Sequence, residues 1–171
     1  RNVDLELRRG EKIALVGYNG AGKTTLTKLL MRLYDPTDGE ILYNGRSLRE
    51  YKLDGYREHI GAVFQDYKIF AATIAENVVG GPYTDADESA VLSALHSASF
   101  EDKLAKLPQG IGTQLTREFD KEGTELSGGE AQKIAIARVF ARPFDIVIMD
   151  EPSSALDPIA EYELNRSMME D

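Results

Sequence analysis

Apolar and polar residues alternate over VDLEL (3–7), the period of a half-exposed strand. After the turn RRGE, KIALV (12–16) reads as a more apolar strand that runs straight into a glycine-rich loop. Beyond that loop, Leu26, Leu29, Leu30 and Leu33 fall on one stripe, which predicts a helix over GKTTLTKLLMRLY. DPTDG (35–39) breaks the helix, EILYNG gives a short strand and turn, and IGAVF (60–64) is a further strand ending at Gln65. From about residue 66 to 142 strand signals give way to helical ones. YTDADESAVLSALHSAS carries a helix-start signal, Asp85 with Glu88 three residues on, and LPQGIGTQLTREFDKEGTE (107–125) is a polar, glycine-bearing connection. Strand character returns in DIVIMDEP (145–152), and Asp157 with Pro158 predicts the cap and first residue of a last helix. This order predicts an α/β fold: a parallel-sheet core formed by 1–65 and 143–171, with 66–142 as an α-helical insert.

Composition narrows the class without naming it. The 171 residues suit one domain with a sizeable core, and 42% hydrophobic with 29% charged residues is ordinary for a globular chain. No cysteine is present, so disulfides and thiolate metal sites are excluded. A net charge of −9 speaks against nucleic acid as a partner, which requires a basic face, yet leaves room for a small anionic ligand at a locally positive site. No apolar run approaches the roughly 20 residues of a membrane span. The chain opens at Arg1 and stops at Asp171 within a helical pattern, so a longer parent protein is expected, with the α/β core incomplete.

Two stretches and one strand end carry candidate chemistry. Gly17, Tyr18, Asn19, Gly20, Ala21, Gly22, Lys23 and Thr24 fit the phosphate-loop pattern G-x-x-x-x-G-K-[ST]. Glycines let backbone N–H groups turn inward on phosphates, and the following helix adds its N-terminal partial charge. Lys23 is expected to reach the β- and γ-phosphates and Thr24 to ligate Mg²⁺. At the end of IVIMDE, Asp150 is placed to hold Mg²⁺ and Glu151 to deprotonate an attacking water. Finally, LSGGE (126–130) spaces Ser127 and Glu130 as a capping box. A cap alone does not call for two glycines, each costing about 1 kcal/mol inside a helix, so Ser127, Gly128 and Gly129 also read as a second anion site.

LSGGE resembles the LSGGQ signature of ATP-binding cassette (ABC) ATPases. The order of motifs also agrees: phosphate loop, Gln65 after a strand, signature, the Asp150-Glu151 strand end, then SSALD at 153–157. The resemblance implies a phosphate-loop NTPase (RecA-like) fold with a helical signature subdomain. It implies an ATPase that uses ATP and Mg²⁺, in which Gly17 to Thr25 bind the nucleotide and Thr24, Gln65 and Asp150 hold the metal. Glu151, Lys23 and Gln65 would be catalytic, and Asp157 would lie at a dimer interface. In this family two cassettes pair head to tail, so Ser127, Gly128 and Gly129 would receive the γ-phosphate bound by a second cassette. Partners would be that cassette, in a homo- or heterodimer, and a transmembrane domain, at the cytoplasmic face of the cell membrane. AVFQDYKIFAATIAENV (62–78) looks most like exporter-type cassettes.

The departures are specific. Glu130 stands where the family usually has glutamine. The family's switch histidine falls beyond Asp171, and neither His59 nor His96 matches it; the adenine-stacking aromatic belongs before Arg1, and Tyr18 is not that residue. Two other readings are a soluble non-transport ABC ATPase, and a piece that binds ATP without turning it over alone. A GTPase is disfavoured because no N-K-x-D element is present.

Overall fold

A strand forms only where a neighbour accepts and donates its hydrogen bonds, and that requirement sorts the predicted strands. The computed structural model describes residues 3–18 and 20–150, together with Tyr162 and Arg166. In chain order these form α1 (Lys23–Leu30), β1 (Leu42–Tyr43), β2 (Arg46–Ser47), α2 (Leu53–Arg57), β3 (Ile60–Val63), α3 (Ile74–Val79), α4 (Glu88–Ser97), α5 (Glu101–Leu104), α6 (Gly128–Phe140) and β4 (Ile146–Met149). The sheets are two-stranded, β1 with β2 and β3 with β4. The predicted strands at 3–7 and 12–16 are irregular instead, and Val3, Leu5, Ile13 and Val16 are exposed. Alternation supplies a hydrophobic face but not a partner, and among the described residues neither segment has one.

The chain divides into two units, Arg1–Ile60 and Gly61–Asp171. In the first, α1 ends earlier than its leucine stripe predicts. Arg32 adopts the left-handed conformation (φ +52°), its N–H donates to the Leu29 carbonyl, and the Leu33 N–H donates to the Lys28 carbonyl, both at 2.9 Å. This is the paired terminal bonding of a Schellman motif, with arginine in the place usually taken by glycine. The Tyr56 hydroxyl donates to the Leu30 carbonyl at 2.6 Å, and Arg57 donates to the Met31 and Arg32 carbonyls. Buried Met31, Leu48 and Tyr56 pack the unit, and Asn44 and Gly45, both at positive φ, close the β1–β2 hairpin.

The second unit holds the larger core. Ile74, Val78, Val91, Leu95, Phe100, Leu115, Ile134 and Val139 are buried together where α3, α4 and α6 meet, each large aliphatic group contributing about 1.5–3 kcal/mol. Leu115 shows that the polar connection at 107–125 also feeds the core. The helix start differs from the predicted Asp85–Glu88 pair: Thr84 is extended and caps a 3-10 turn, Asp85–Asp87, that leads into α4, and the Asp87 carboxylate accepts from the Thr84 N–H at 2.9 Å. Asn77, fully buried in α3, accepts from the Phe70 N–H and donates to the Phe70 and Thr73 carbonyls, which fixes the segment between β3 and α3.

Candidate functional site

The first glycine loop reaches α1 through two residues that a side chain would strain. Gly20 (φ +83°) and Gly22 (φ +97°) are left-handed, and Gly22 is the N-cap of α1. The Ala21 N–H donates to the Tyr18 carbonyl at 3.0 Å, which closes the turn. Lys23 lies back across the loop, its Nζ donating to the Gly17 carbonyl at 2.7 Å and the Tyr18 carbonyl at 3.3 Å. An ammonium is therefore held over an exposed loop beside a helix N-terminus, where anions are favoured. Thr24 and Thr25 follow in the first turn and are exposed, as is Tyr18. The hard hydroxyl oxygen of Thr24 suits a small divalent cation.

In the second unit, β3 and β4 bring Gln65 and Asp150 near each other. The Asp150 N–H donates to the Val63 carbonyl at 2.9 Å, so the C-terminal ends of both strands lie side by side. Gln65 is exposed two residues beyond that carbonyl, and Asp150 is half-buried. Their juxtaposition relies on Gly61: a Cβ there would come within 2.7 Å of the Phe144 ring and 3.0 Å of Val139 Cγ1.

The second glycine start is a formed capping box. The Glu130 N–H donates to Ser127 Oγ at 3.3 Å, and the Ser127 N–H donates to Glu130 Oε2 at 2.8 Å. Gly128 and Gly129 occupy the first two positions of α6, where helix N–H groups have no acceptor in a preceding turn. Ser127 and Gly128 are exposed. The Glu130 carboxylate faces its own helix start and also Lys103, whose Nζ lies 3.0 Å from Oε1. Burial raises the Glu130 pKa, but hydrogen bonds from Ser127 and Lys103 outweigh that, and the group sits below the ordinary carboxylate range.

Two contacts that sequence reasoning missed tie this helix to the segment after Gln65. The Tyr67 hydroxyl donates to the Gly128 carbonyl at 2.7 Å. Near the far end of α6, Arg138 donates through Nε to the Asn77 carbonyl at 2.8 Å and through a terminal nitrogen to the Lys68 carbonyl, over the Phe70 ring. Both join residues 61 positions apart, which local patterns do not reveal. Lys103 was missed for the same reason. Of the predicted site residues, Asn19, Glu151 and Asp157 lie outside the described residues. Lys23 and its loop belong to the first unit, and Gln65, Ser127 and Asp150 to the second. His96 pairs with Glu101 on an exposed surface, and the His59 ring lies tilted beside that of Tyr43.

Comparison with known proteins gives consistent findings. A family model described as ABC transporter matches residues 1–154. The mitochondrial iron-sulfur clusters transporter ATM1 of Candida glabrata is 41% identical over 98% of the chain and 22% of its own length. The subtilin transport ATP-binding protein SpaT of Bacillus subtilis is 41% identical over 95% of the chain and 26% of its own. A solved bacterial Atm1-family ABC exporter with ATP bound aligns at a TM-score of 0.82 and 36% identity, covering 96% of the chain and 28% of that protein. The chain thus spans about a quarter of the length of these relatives.

Proposed function

The chain belongs to the ABC transporter family, and on that premise we propose that it is the ATP-hydrolysing cassette of an exporter, working by head-to-tail pairing with a second cassette. Its fold is that of phosphate-loop NTPases, and the family's members are ATP-hydrolysing ATPases. The observation that carries the reading is the presence of two exposed glycine-bearing helix starts in one chain, at Gly22–Lys23 and at Ser127–Gly129. A single nucleotide site needs one. Two are accounted for if the loop of each cassette holds a nucleotide whose γ-phosphate the partner's α6 receives.

In this reading Gly17 to Thr25 bind the phosphates of ATP, with Lys23 as the counter-charge at the β- and γ-positions. Thr24, Gln65 and Asp150 would hold Mg²⁺, which when bound would neutralise developing charge on the phosphates. Glu151 takes the proton of the attacking water, and Gln65 orients that water. Ser127 Oγ and the Gly128 and Gly129 amides stabilise the transferred group from the other side, preorganised by the capping box. Residues 66–142 act as the helical subdomain, and 1–65 with 143–171 as the nucleotide-binding core. Among the described residues no helix is long and apolar enough to cross a membrane. The likeness to exporters supports a transmembrane domain as the cassette's partner, with the cassette at the cytoplasmic face of the membrane.

The test is Glu151→Gln in the reconstituted transporter. ATP-dependent pairing of cassettes should persist while hydrolysis falls at least a hundredfold, the scale of a lost general base. Hydrolysis at the parent rate would remove Glu151 from that role, and Lys23→Ala leaving ATP binding intact would dismiss the loop assignment.

A further inference from the structure

Glu130 puts a carboxylate in the first turn of α6, beside the amides that, on the functional reading above, receive a phosphate. A unit charge one helical turn away, about 5.4 Å, weakens phosphate affinity roughly tenfold at an effective dielectric constant of about 45. The two oxygens of Glu130 are nevertheless both engaged away from any incoming anion: Oε2 by the Ser127 N–H at 2.8 Å and Oε1 by Lys103 Nζ at 3.0 Å. Both side chains of the ion pair are 28% exposed, so the contact is only partly screened by water.

Lys103 is itself held in register. It sits on α5, whose N-cap Phe100 is buried in the core, and Lys133 of α6 donates to the Ser99 carbonyl at 2.8 Å. The same residues, with Asp102 and Lys106, line a groove of about 340 Å³ against the start of α6. Three lysines there face two carboxylates, an excess of one positive charge that loss of Lys103 would cancel.

We propose that Lys103 is a positioning residue for the second glycine start: its ammonium orients and neutralises the Glu130 carboxylate, so that an acidic residue can stand beside the Ser127–Gly129 amides without repelling the phosphate they receive. This rests on the ATPase reading and adds to it a specific charge pair, Lys103 with Glu130, that must change together.

The experiment measures KM for ATP and kcat in the reconstituted transporter for Lys103→Met, Lys103→Arg, Glu130→Gln and the Lys103→Met/Glu130→Gln double variant, each at low and high salt. Lys103→Met should raise KM about tenfold at low salt and less at high salt, with kcat within about twofold. Lys103→Arg should stay within about twofold of the parent, as should Glu130→Gln, and the double variant should return to within about threefold. A lysine acting only through packing would not be rescued by removing its partner's charge, nor would its loss give a salt-dependent KM. The proposal is overturned if Lys103→Met matches the parent, or if the double variant is as impaired as Lys103→Met. Should Lys103→Met not accumulate as folded protein, Lys103→Gln in the parent and Glu130→Gln backgrounds makes the same comparison. A parent that hydrolyses no ATP overturns the functional reading and this proposal with it. An active parent indifferent to Lys103 overturns this proposal alone.

Discussion

The Tyr67 hydroxyl donates to the Gly128 carbonyl, so the residue two places beyond Gln65 is bonded to the first residue of the α6 helix. Burial raises the Tyr67 pKa further above its ordinary value of 10.0, so the phenol is a donor at neutral pH. Tyr67→Phe keeps the ring and removes the bond. It should cost about 1 kcal/mol in urea unfolding, and amide exchange at Ala131, whose N–H donates to the Ser127 carbonyl, should quicken as the helix start loosens. Unchanged exchange at that amide would mean the tether does not order the helix start.

What the sequence disclosed here is what backbone geometry demands locally. Gly20 and Gly22 take left-handed angles, and Ser127 with Glu130 forms the capping box their spacing suggests. What it concealed depends on partners or on unusual residues. The α1 stripe points to a helix reaching Tyr34, but Arg32 supplies the left-handed stop without a glycine to announce it. VDLEL has the strand period and KIALV the apolar run of a strand, yet neither has a neighbouring strand among the described residues. Asp85 with Glu88 satisfies the cap rule on paper, yet Thr84 has the extended backbone a cap requires. Tyr67, Lys103 and Arg138 meet their partners only after the chain has folded.

Arg138 and Asn77 predict a second outcome. The guanidinium is half-buried, bonds the Asn77 carbonyl at 2.8 Å and covers Phe70 at 4.9 Å. Burial lowers its pKa, though arginine remains charged throughout the physiological range. Lysine offers neither the planar fork nor the stacking face. Arg138→Lys should therefore destabilise by about 1–3 kcal/mol in chemical unfolding, close to the loss from Arg138→Met. A lysine variant as stable as the parent would show that charge alone suffices.

Three capping carboxylates predict acid sensitivity. Glu76 is lowered by hydrogen bonds from the Thr73 backbone and side chain, Asp87 by those from Thr84, and Glu130 by Ser127 and Lys103 working against burial. Each folded-state pKa lies below its unfolded value, 4.5 for the two glutamates and 3.8 for the aspartate. Their stabilisation is thus fully present above those values and is lost as pH falls through the lower folded ones. Thermal unfolding should give a plateau near neutrality and a decline below about pH 4.5. Thr73→Ala and Ser127→Ala should each lower the plateau by about 1 kcal/mol. Glu76→Gln and Glu130→Gln, which remove the titrating carboxylates, should flatten the decline. A decline equally steep in both glutamine variants would assign acid lability to other groups.

Gly61 predicts a repairable clash. It lies in β3, and a methyl group there would meet the Phe144 ring at 2.7 Å and Val139 of α6 at 3.0 Å. The ring edge is not a flexible chain end, so either it or the strand must shift. Gly61→Ala should cost about 1–3 kcal/mol, the usual range for overpacking. Because β3 leads directly to Gln65 and Val139 belongs to the helix that opens at Ser127, the shift should also lower ATPase activity without altering ATP binding at the first loop. Adding Phe144→Leu removes the ring edge, and Gly61→Ala/Phe144→Leu should be more stable than the sum of the two single changes allows. Strict additivity of the two in urea unfolding would show that strand and ring do not press on each other.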